Sequence, residues 1–192
     1  MTIALSHGAG AGMDSSFMTF MAEGLAERGY RVVRFEYPYM ASKQVTGKRK
    51  PLDREPVLRE TRVKVIEKLN AKRLVIGGKS IGGRIASLVA DEARVAGLVC
   101  LGYPFHPVGK PDKLRVEHLK TIKTPTLVVQ GERDPFGGRE EVAKYKLPRK
   151  VRIAWMVDGD HSFKPRKASG RSEQKNWEAA IGEVVVFLKS LR

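Results

Sequence analysis

Short apolar segments alternate with amphipathic helical segments along most of this 192-residue chain. Continuous apolar runs bounded by glycine, proline or polar residues are typical of buried β-strands. Six short runs that are mostly apolar occur, at residues 2–6, 31–35, 74–76, 98–101, 126–130 and 151–157. Because strands that alternate with helices favour parallel pairing, and continuous apolar strands require cover on both faces, the pattern predicts a doubly wound, mostly parallel α/β sheet.

The connections between these strands are predicted to be helices or loops. Apolar residues three or four positions apart predict helices within residues 17–25, 63–69, 81–89 and 177–188. Prolines and glycines predict long loops at residues 38–56 and 103–112, and either loop could overhang a site. With no internal repeat and no dividing linker, residues 1–192 are predicted to form one domain, whose ligands bind at the carboxyl ends of the strands.

Several classes of protein are disfavoured by simple features of the chain. No apolar run approaches the roughly 20 residues of a membrane span, and no basic leader precedes a long apolar stretch. We therefore expect a cytoplasmic protein with no membrane partner. The single cysteine, Cys100, cannot form an internal disulfide, and its apolar neighbours predict a core position.

Positive charge is in large excess. The chain has 36 lysines and arginines against 21 acidic residues, a formal net charge of +15. The excess is spread over loops, which favours a solvated surface, and a nucleic-acid partner is the alternative. Five loop residues are candidates for attracting an anionic substrate, with plain solvent exposure as the alternative: Lys43, Lys48, Arg49, Arg166 and Lys167.

A serine follows the third predicted strand in a glycine-rich turn. Residues 78–82, Gly-Lys-Ser-Ile-Gly, match G-x-S-x-G, and a predicted helix begins near Ile81. In that setting the pattern is typical of a nucleophilic serine, because the glycines leave room around a sharp turn. Ser80 is therefore the predicted nucleophile, and a helix-capping serine is the alternative.

A nucleophilic serine needs a base within hydrogen-bond reach and a third group that orients the base. When the acid and the histidine follow the serine in the chain, the histidine comes after the last strand. Only His161 meets this condition, and it is the predicted base. We expect His106 and His118 to lie at the surface or at a pocket rim, and His7 to brace a loop.

The acid should follow the fifth strand, and Asp134 is the predicted residue there. Glu132 lies very close to the strand end, and Asp134 precedes a proline, so a purely structural turn is its alternative. Asp160 is the reserve candidate, although Asp158 and Asp160 share the loop of the histidine and are expected to shape it. Two backbone N–H groups, of Ala9 and Ile81, are predicted to stabilise an oxyanion.

Other site types fail on spacing. A phosphate-binding loop ending at Lys79 would need glycine at Arg73, and a dinucleotide fingerprint from Gly8 would need glycine at Met13. No two histidines have the spacing of metal ligands on one element. We therefore expect neither a cofactor nor a metal.

These residues together resemble the α/β-hydrolase superfamily over nearly the whole chain. Four segments are similar to a compact subfamily of dienelactone-hydrolase-like proteins, which is itself similar to testis-expressed hydrolase-like proteins and to a domain of a histone acetyltransferase complex subunit. The segments are residues 78–84, 102–104, 131–137 and 159–163. One departure is that dienelactone hydrolases proper have a cysteine where this chain has Ser80, which argues against dienelactone activity.

The resemblance implies a single-domain α/β-hydrolase fold without a cap domain, and a shallow site. It implies a triad of Ser80, Asp134 and His161, with oxyanion donors at Ala9 and Ile81. The expected function is that of a carboxylesterase-like serine hydrolase, which cleaves a small ester or related acyl compound through an acyl-enzyme. The alternative is a catalytically quiet binding module of the same fold, whose basic loops engage nucleic acid or a protein partner.

Overall fold

The structure, a computed structural model, describes residues 1–48 and 50–191. In this part of the chain, six strands form one sheet. The strands are β1 (Thr2–Ser6), β2 (Arg31–Phe35), β3 (Leu74–Lys79), β4 (Gly97–Leu101), β5 (Thr126–Gly131) and β6 (Val151–Met156). The helices are α1 (Ser16–Ala26), α2 (Pro38–Thr46), α3 (Glu55–Leu69), α4 (Ile81–Val89), α5 (Glu117–Lys120), α6 (Arg139–Val142) and α7 (Glu173–Ser190), with a 3₁₀ turn at Lys167–Ser169. Among the described residues, no helix combines the length and apolar character needed to cross a membrane.

The strand order is β2-β1-β3-β4-β5-β6, and every pairing is parallel. The predicted parallel α/β sheet of about six strands is confirmed. From β1 the chain first moves outward to β2 and then returns past β1 to β3, so the direction of winding reverses between β1 and β3. The carboxyl ends at such a reversal leave a crevice in which ligands bind.

Helices cover both faces of the sheet, as the continuous apolar strands predict. On β1, Ile3 and Leu5 pack in the core beneath α1 and α7, whereas Ala4 packs on the opposite face with residues of α4 and α5. Successive side chains of a strand point to opposite faces, so burial on both sides leaves no position for a polar stripe. Cys100 is fully buried in the core on the same face as Ala4, as predicted.

The loop predicted over residues 38–56 is wrong in its first half, which forms α2. Pro38 occupies the first turn of this helix, where its fixed φ is favourable, and Gly47 follows the helix with a left-handed φ of 68°. Tyr39 and Met40 are buried against Tyr37 and complete a third core cluster. Proline and glycine thus delimit a helix here. The loop predicted at residues 103–112 is confirmed.

Strand β3 continues three residues beyond its predicted end at Ile76. Gly77 and Gly78 pair with Val99 and Cys100 of β4, and a Cβ on Gly77 would collide with the Val99 carbonyl. These positions of the strand are glycines because the neighbouring backbone leaves no space for a side chain there.

The predicted surface position of His106 is wrong. The ring is buried, and its Nε2 lies 2.9 Å from Oε1 of Glu141 on α6. The preceding residue, Phe105, is fully buried in the core, so the chain at His106 also lies below the surface. His118 is half-buried on α5, where its Nε2 lies 2.7 Å from Oγ of Ser87.

The stability of the protein should fall as the pH falls, in part because of His118. Burial, together with the charge of Arg84, lowers the pKa of His118 to about 4. Between the unfolded pKa of about 6.5 and this value, the unfolded chain binds a proton that the folded chain does not, so acid favours unfolding. We expect His118→Gln to reduce the loss of unfolding free energy between about pH 7 and about pH 4.5 by up to about 2 kcal/mol. Urea unfolding at the two pH values measures this, and an unchanged difference would contradict it.

Candidate active site

Ser80, Asp134 and His161 lie at the carboxyl ends of β3, β5 and β6 and form one continuous hydrogen-bonded chain. Nε2 of His161 lies 2.9 Å from Oγ of Ser80, and Nδ1 of the same ring lies 2.7 Å from Oδ2 of Asp134. The serine and the histidine are 81 residues apart in sequence. The structure therefore brings together the three side chains that the sequence analysis singled out, each from the loop after a different strand.

Ser80 adopts a backbone conformation that residues with a side chain rarely adopt. Its φ is 53° and its ψ is −117°, and it lies between the end of β3 and the start of α4. A Cβ on Gly82 would lie 2.5 Å from Oγ of Ser6, and one on Gly83 would lie 2.8 Å from the Gly78 carbonyl. The glycines are thus required by close packing of this turn against β1 and β3. The turn directs the Ser80 hydroxyl outward.

Arg62 supports the turn from below, and the sequence analysis missed it. Its side chain is fully buried, and its guanidinium donates hydrogen bonds to the carbonyls of Gly77 and Gly82, at 2.8 and 3.1 Å. It also donates to Oγ of Ser6 at 2.5 Å. One side chain of α3 therefore joins β1, β3 and α4 around Ser80. Its spacing of four residues from Leu58 was the available signal, since it puts an arginine on the core-facing side of the helix.

The carboxylate of Asp134 is held by donors on both of its oxygens. Its side chain is fully buried. Oδ1 accepts a hydrogen bond from the Phe136 N–H at 2.9 Å, and Oδ2 accepts one from Nε2 of Gln130 at 2.9 Å. The main chain of Tyr103 holds Gln130 in turn. Oε1 of Gln130 accepts a hydrogen bond from the Tyr103 N–H at 2.7 Å, and its Nε2 donates one to the Tyr103 carbonyl at 3.1 Å. These contacts orient the carboxylate toward Nδ1 of His161.

The environment of His161 favours a neutral imidazole. Burial lowers its pKa from 6.5, and the charge of Lys79 lowers it further, while the hydrogen bond with Asp134 acts in the opposite direction. The ring also lies against Phe136, with centroids 4.4 Å apart. A neutral ring with Nδ1–H directed at the carboxylate leaves Nε2 as a proton acceptor facing Ser80.

The other acidic candidates occupy structural positions. Oδ1 of Asp160 accepts hydrogen bonds from the backbone N–H groups of Ser162 and Lys164, at 2.8 and 3.0 Å. Asp158 forms an ion pair with Arg166 at 2.5 Å, and Oε2 of Glu132 accepts from the N–H of Asp158 at 2.9 Å. These groups shape the loop that carries His161, as expected for Asp158 and Asp160.

A cavity of about 520 Å³ opens beside the Ser80 hydroxyl. Ala9, Ser80 and His161 line it, together with the aromatic rings of Phe17, Phe136 and Trp177. The loop after β1 passes directly against the serine, since a Cβ on Gly8 would lie 3.5 Å from Cβ of Ser80. The N–H of Ile81 is in the first turn of α4, where N–H groups have no partner within the helix. Both predicted oxyanion donors are therefore on elements that border the nucleophile.

The candidate basic residues are placed in different ways. Lys43 lines a second cavity, of about 150 Å³, which shares Ala9 and Gly10 with the larger one. Lys48 and Lys167 are exposed, and Arg166 is paired with Asp158. Arg49 lies outside the described residues. His7 braces the loop after β1, as predicted, because its buried Nε2 accepts a hydrogen bond from the Tyr37 N–H at 3.1 Å.

Comparison with known proteins agrees with this architecture. Residues 1–189 match the family described as the alpha/beta hydrolase domain. A relative from Rattus norvegicus, named putative protein-lysine deacylase ABHD14B, is 32% identical over 139 residues, which are 71% of this chain and 63% of that protein. This chain therefore spans less than two thirds of the length of that relative.

Solved structures with the same fold include an α/β serine hydrolase without a lid from Xanthomonas campestris, with a TM-score of 0.71 and 21% identity over 97% of this chain and 81% of that one. The dienelactone hydrolase from Anabaena variabilis gives a TM-score of 0.73 and 21% identity over 100% of this chain and 87% of that one. At these identities the likeness is one of fold, and it confirms the predicted compact α/β-hydrolase architecture. Because residues 1–189 match its family model, this chain belongs to the alpha/beta hydrolase domain family.

Proposed function

We propose that this protein is a carboxylesterase-like serine hydrolase that cleaves an ester or related acyl bond through an acyl-enzyme on Ser80. The observation that carries the proposal is the position of His161, whose Nε2 lies 2.9 Å from Oγ of Ser80 while a buried carboxylate holds Nδ1. A serine hydroxyl is a weak nucleophile unless an oriented base can take its proton. This arrangement supplies both the base and its orientation.

In the acylation step, Nε2 of His161 accepts the proton of the Ser80 hydroxyl while Oγ forms a bond to the acyl carbon. The electron pair of the carbonyl moves to its oxygen, and the N–H groups of Ala9 and Ile81 stabilise the resulting oxyanion. Collapse of this intermediate breaks the bond to the leaving group, which takes the proton from His161 as it departs. Asp134 stabilises the imidazolium that exists between the two proton transfers.

In the deacylation step, water replaces the leaving group. His161 takes one proton from the water, the hydroxide oxygen adds to the acyl carbon, and Ser80 departs with the returned proton. Both steps require neutral His161. Because burial lowers its pKa, hydrolysis should persist at neutral pH and decline as the pH falls through that lowered value.

A fluorophosphonate probe tests the proposal directly, since it reacts with an activated serine far faster than with an ordinary serine hydroxyl. We expect it to modify Ser80 in the folded wild type and to leave Ser80→Ala unmodified. Ser87→Ala is a matched control, because Oγ of Ser87 also lies 2.7 Å from a histidine nitrogen but is buried. That control should be modified as readily as the wild type. Folded wild-type protein that resists the probe would favour the binding-module alternative.

Acyl-lysine amides are a second candidate substrate class. The rat relative is named a putative protein-lysine deacylase. The cavity beside Ser80 has apolar walls formed by Phe17, Phe136 and Trp177, which suit the aliphatic stem of a lysine side chain. Turnover of an acetyl-lysine peptide, compared with acetyl esters of similar size and lost in Ser80→Ala, would support the amide. Turnover of the esters alone would exclude it.

A further inference from the structure

Lys79, the residue before the nucleophile, places a buried ammonium group at the candidate site. It is the last residue of β3, its exposure is only 9%, and it lines the cavity beside Ser80. Its Nζ lies 5.5 Å from the ring centroid of Phe17 and 5.9 Å from that of Phe163. Burying a lysine is unfavourable unless its charge and its hydrogen bonds are compensated, so the contacts of this group matter.

The ammonium group is hydrogen bonded to the main chain of the predicted base. Nζ of Lys79 donates a hydrogen bond to the carbonyl of His161. Gly102 leaves the space for this contact, because a Cβ there would lie 2.8 Å from Nζ and 3.4 Å from Cε1 of His161. Since Lys79 is covalently joined to Ser80, this bond ties the loop of the base to the strand of the nucleophile.

The charges around this contact come from three elements. The carboxylates of Asp134, after β5, and of Asp160, after β6, attract the ammonium, whereas burial lowers the pKa of Lys79 to about 8. Lys79 therefore remains mostly protonated at neutral pH. From α7, Glu173 lines the same cavity. The positive charge of Lys79 in turn lowers the pKa of His161.

We propose that Lys79 is a positioning residue, whose ammonium group holds the main chain of His161 against the strand that leads into Ser80. Its kinetic consequence rests on the proposed function, whereas its effect on the protonation of His161 does not. The hydrogen bond preserves the geometry between base and nucleophile. The charge helps to keep the base neutral in the pH range in which it must accept a proton.

The kinetic test removes the ammonium and then restores it. We expect Lys79→Met to lower kcat for a short ester by about ten- to a hundred-fold with a smaller change in KM, because misplacement of a base by a fraction of an ångström affects mainly the chemical step. Lys79→Cys should be similarly impaired, and alkylation with 2-bromoethylamine, which rebuilds a side chain of nearly lysine length, should recover kcat. Wild-type protein given the same reagent controls for reaction at buried Cys100. Wild-type kcat in folded Lys79→Met would overturn the positioning role.

The second test measures the protonation of His161 by NMR, without reference to catalysis. The Hε1 resonance that is absent in His161→Gln identifies the ring, and its titration gives the pKa. We expect a higher pKa in Lys79→Met than in the wild type, and no change in Lys68→Met, which removes an exposed lysine from the last turn of α3. If Lys79→Met does not fold, Lys79→Gln removes the same charge and keeps a polar end. An unchanged or lower pKa of His161 in the folded variant would overturn the electrostatic role, whatever the outcome of the fluorophosphonate experiment.

Discussion

Replacing Ser80 with alanine should lower kcat for a short ester by about 10⁵- to 10⁶-fold, while substrate binding and folding stay close to wild type. The loss is large because the variant lacks the Oγ whose proton Nε2 of His161 is placed to accept, although binding and the oxyanion donors remain. Alanine retains Cβ, so it can occupy the same backbone conformation, at φ of 53°, with no new contact. Initial rates and thermal unfolding of the purified variants measure the two effects separately.

Ser87→Ala is the matched control for this prediction. Ser87, on α4, is a second serine whose Oγ contacts a histidine nitrogen, that of His118, and it is buried. Its variant should hydrolyse the ester at a rate within about tenfold of wild type. A Ser80→Ala protein that retains a comparable rate would show that this serine is not the nucleophile.

Replacing Asp134 with asparagine should lower kcat by about 10⁴-fold through a change of imidazole tautomer. The N–H of Phe136 points at the Oδ1 position, so the amide oxygen of the asparagine should take that place. The amide nitrogen then faces Nδ1 of His161, which must become an acceptor. The ring proton moves to Nε2, and the base can no longer take the proton of Ser80.

Gln130 makes this orientation of the asparagine acceptable. Its Nε2 has two hydrogens and lies within hydrogen-bond distance of three acceptors, the carbonyls of Tyr103 and Gly137 and Oδ2 of Asp134. Nε2 of Gln130 can therefore lose its contact with residue 134 and still donate both hydrogens, to the carbonyls of Tyr103 and Gly137. Asp160→Asn is the matched control, because it keeps an oxygen that can cap Ser162 and Lys164. A similar loss of kcat in both variants would argue against a specific role for Asp134.

The parts of the fold that follow from local pattern could be predicted from the sequence. Strands β1 and β4 form where continuous apolar runs occur, because residues on both sides of the sheet must be buried. Helix α2 was missed because Pro38 and Gly47 were interpreted as breaks, although they occupy the two positions where a helix accepts them. The extension of β3 through Gly77 was missed because glycine has low strand propensity, and only packing against Val99 explains it.

The three side chains that meet at the candidate site could be chosen from the sequence because strand order limits where each can lie. Arg62, Lys79 and Gln130 could not, since their contacts depend on elements far away in the chain. Arg62 acts on carbonyls that are 15 and 20 residues distant, and Lys79 on one that is 82 residues distant. A polar residue on a core-facing position signals that a partner exists, but the fold decides which partner it is.

The position of the transferred acyl group tests the central proposal most directly. An activated acetyl ester, for which acylation is faster than deacylation, can be mixed with the wild-type protein, quenched in acid and mapped by fragmentation mass spectrometry. The proposed mechanism predicts acetyl on Oγ of Ser80, formed on the time scale of the first turnover and absent in His161→Ala over the same interval. Acetyl on Nζ of Lys79 or on another residue, with Ser80 unmodified during turnover, would contradict it.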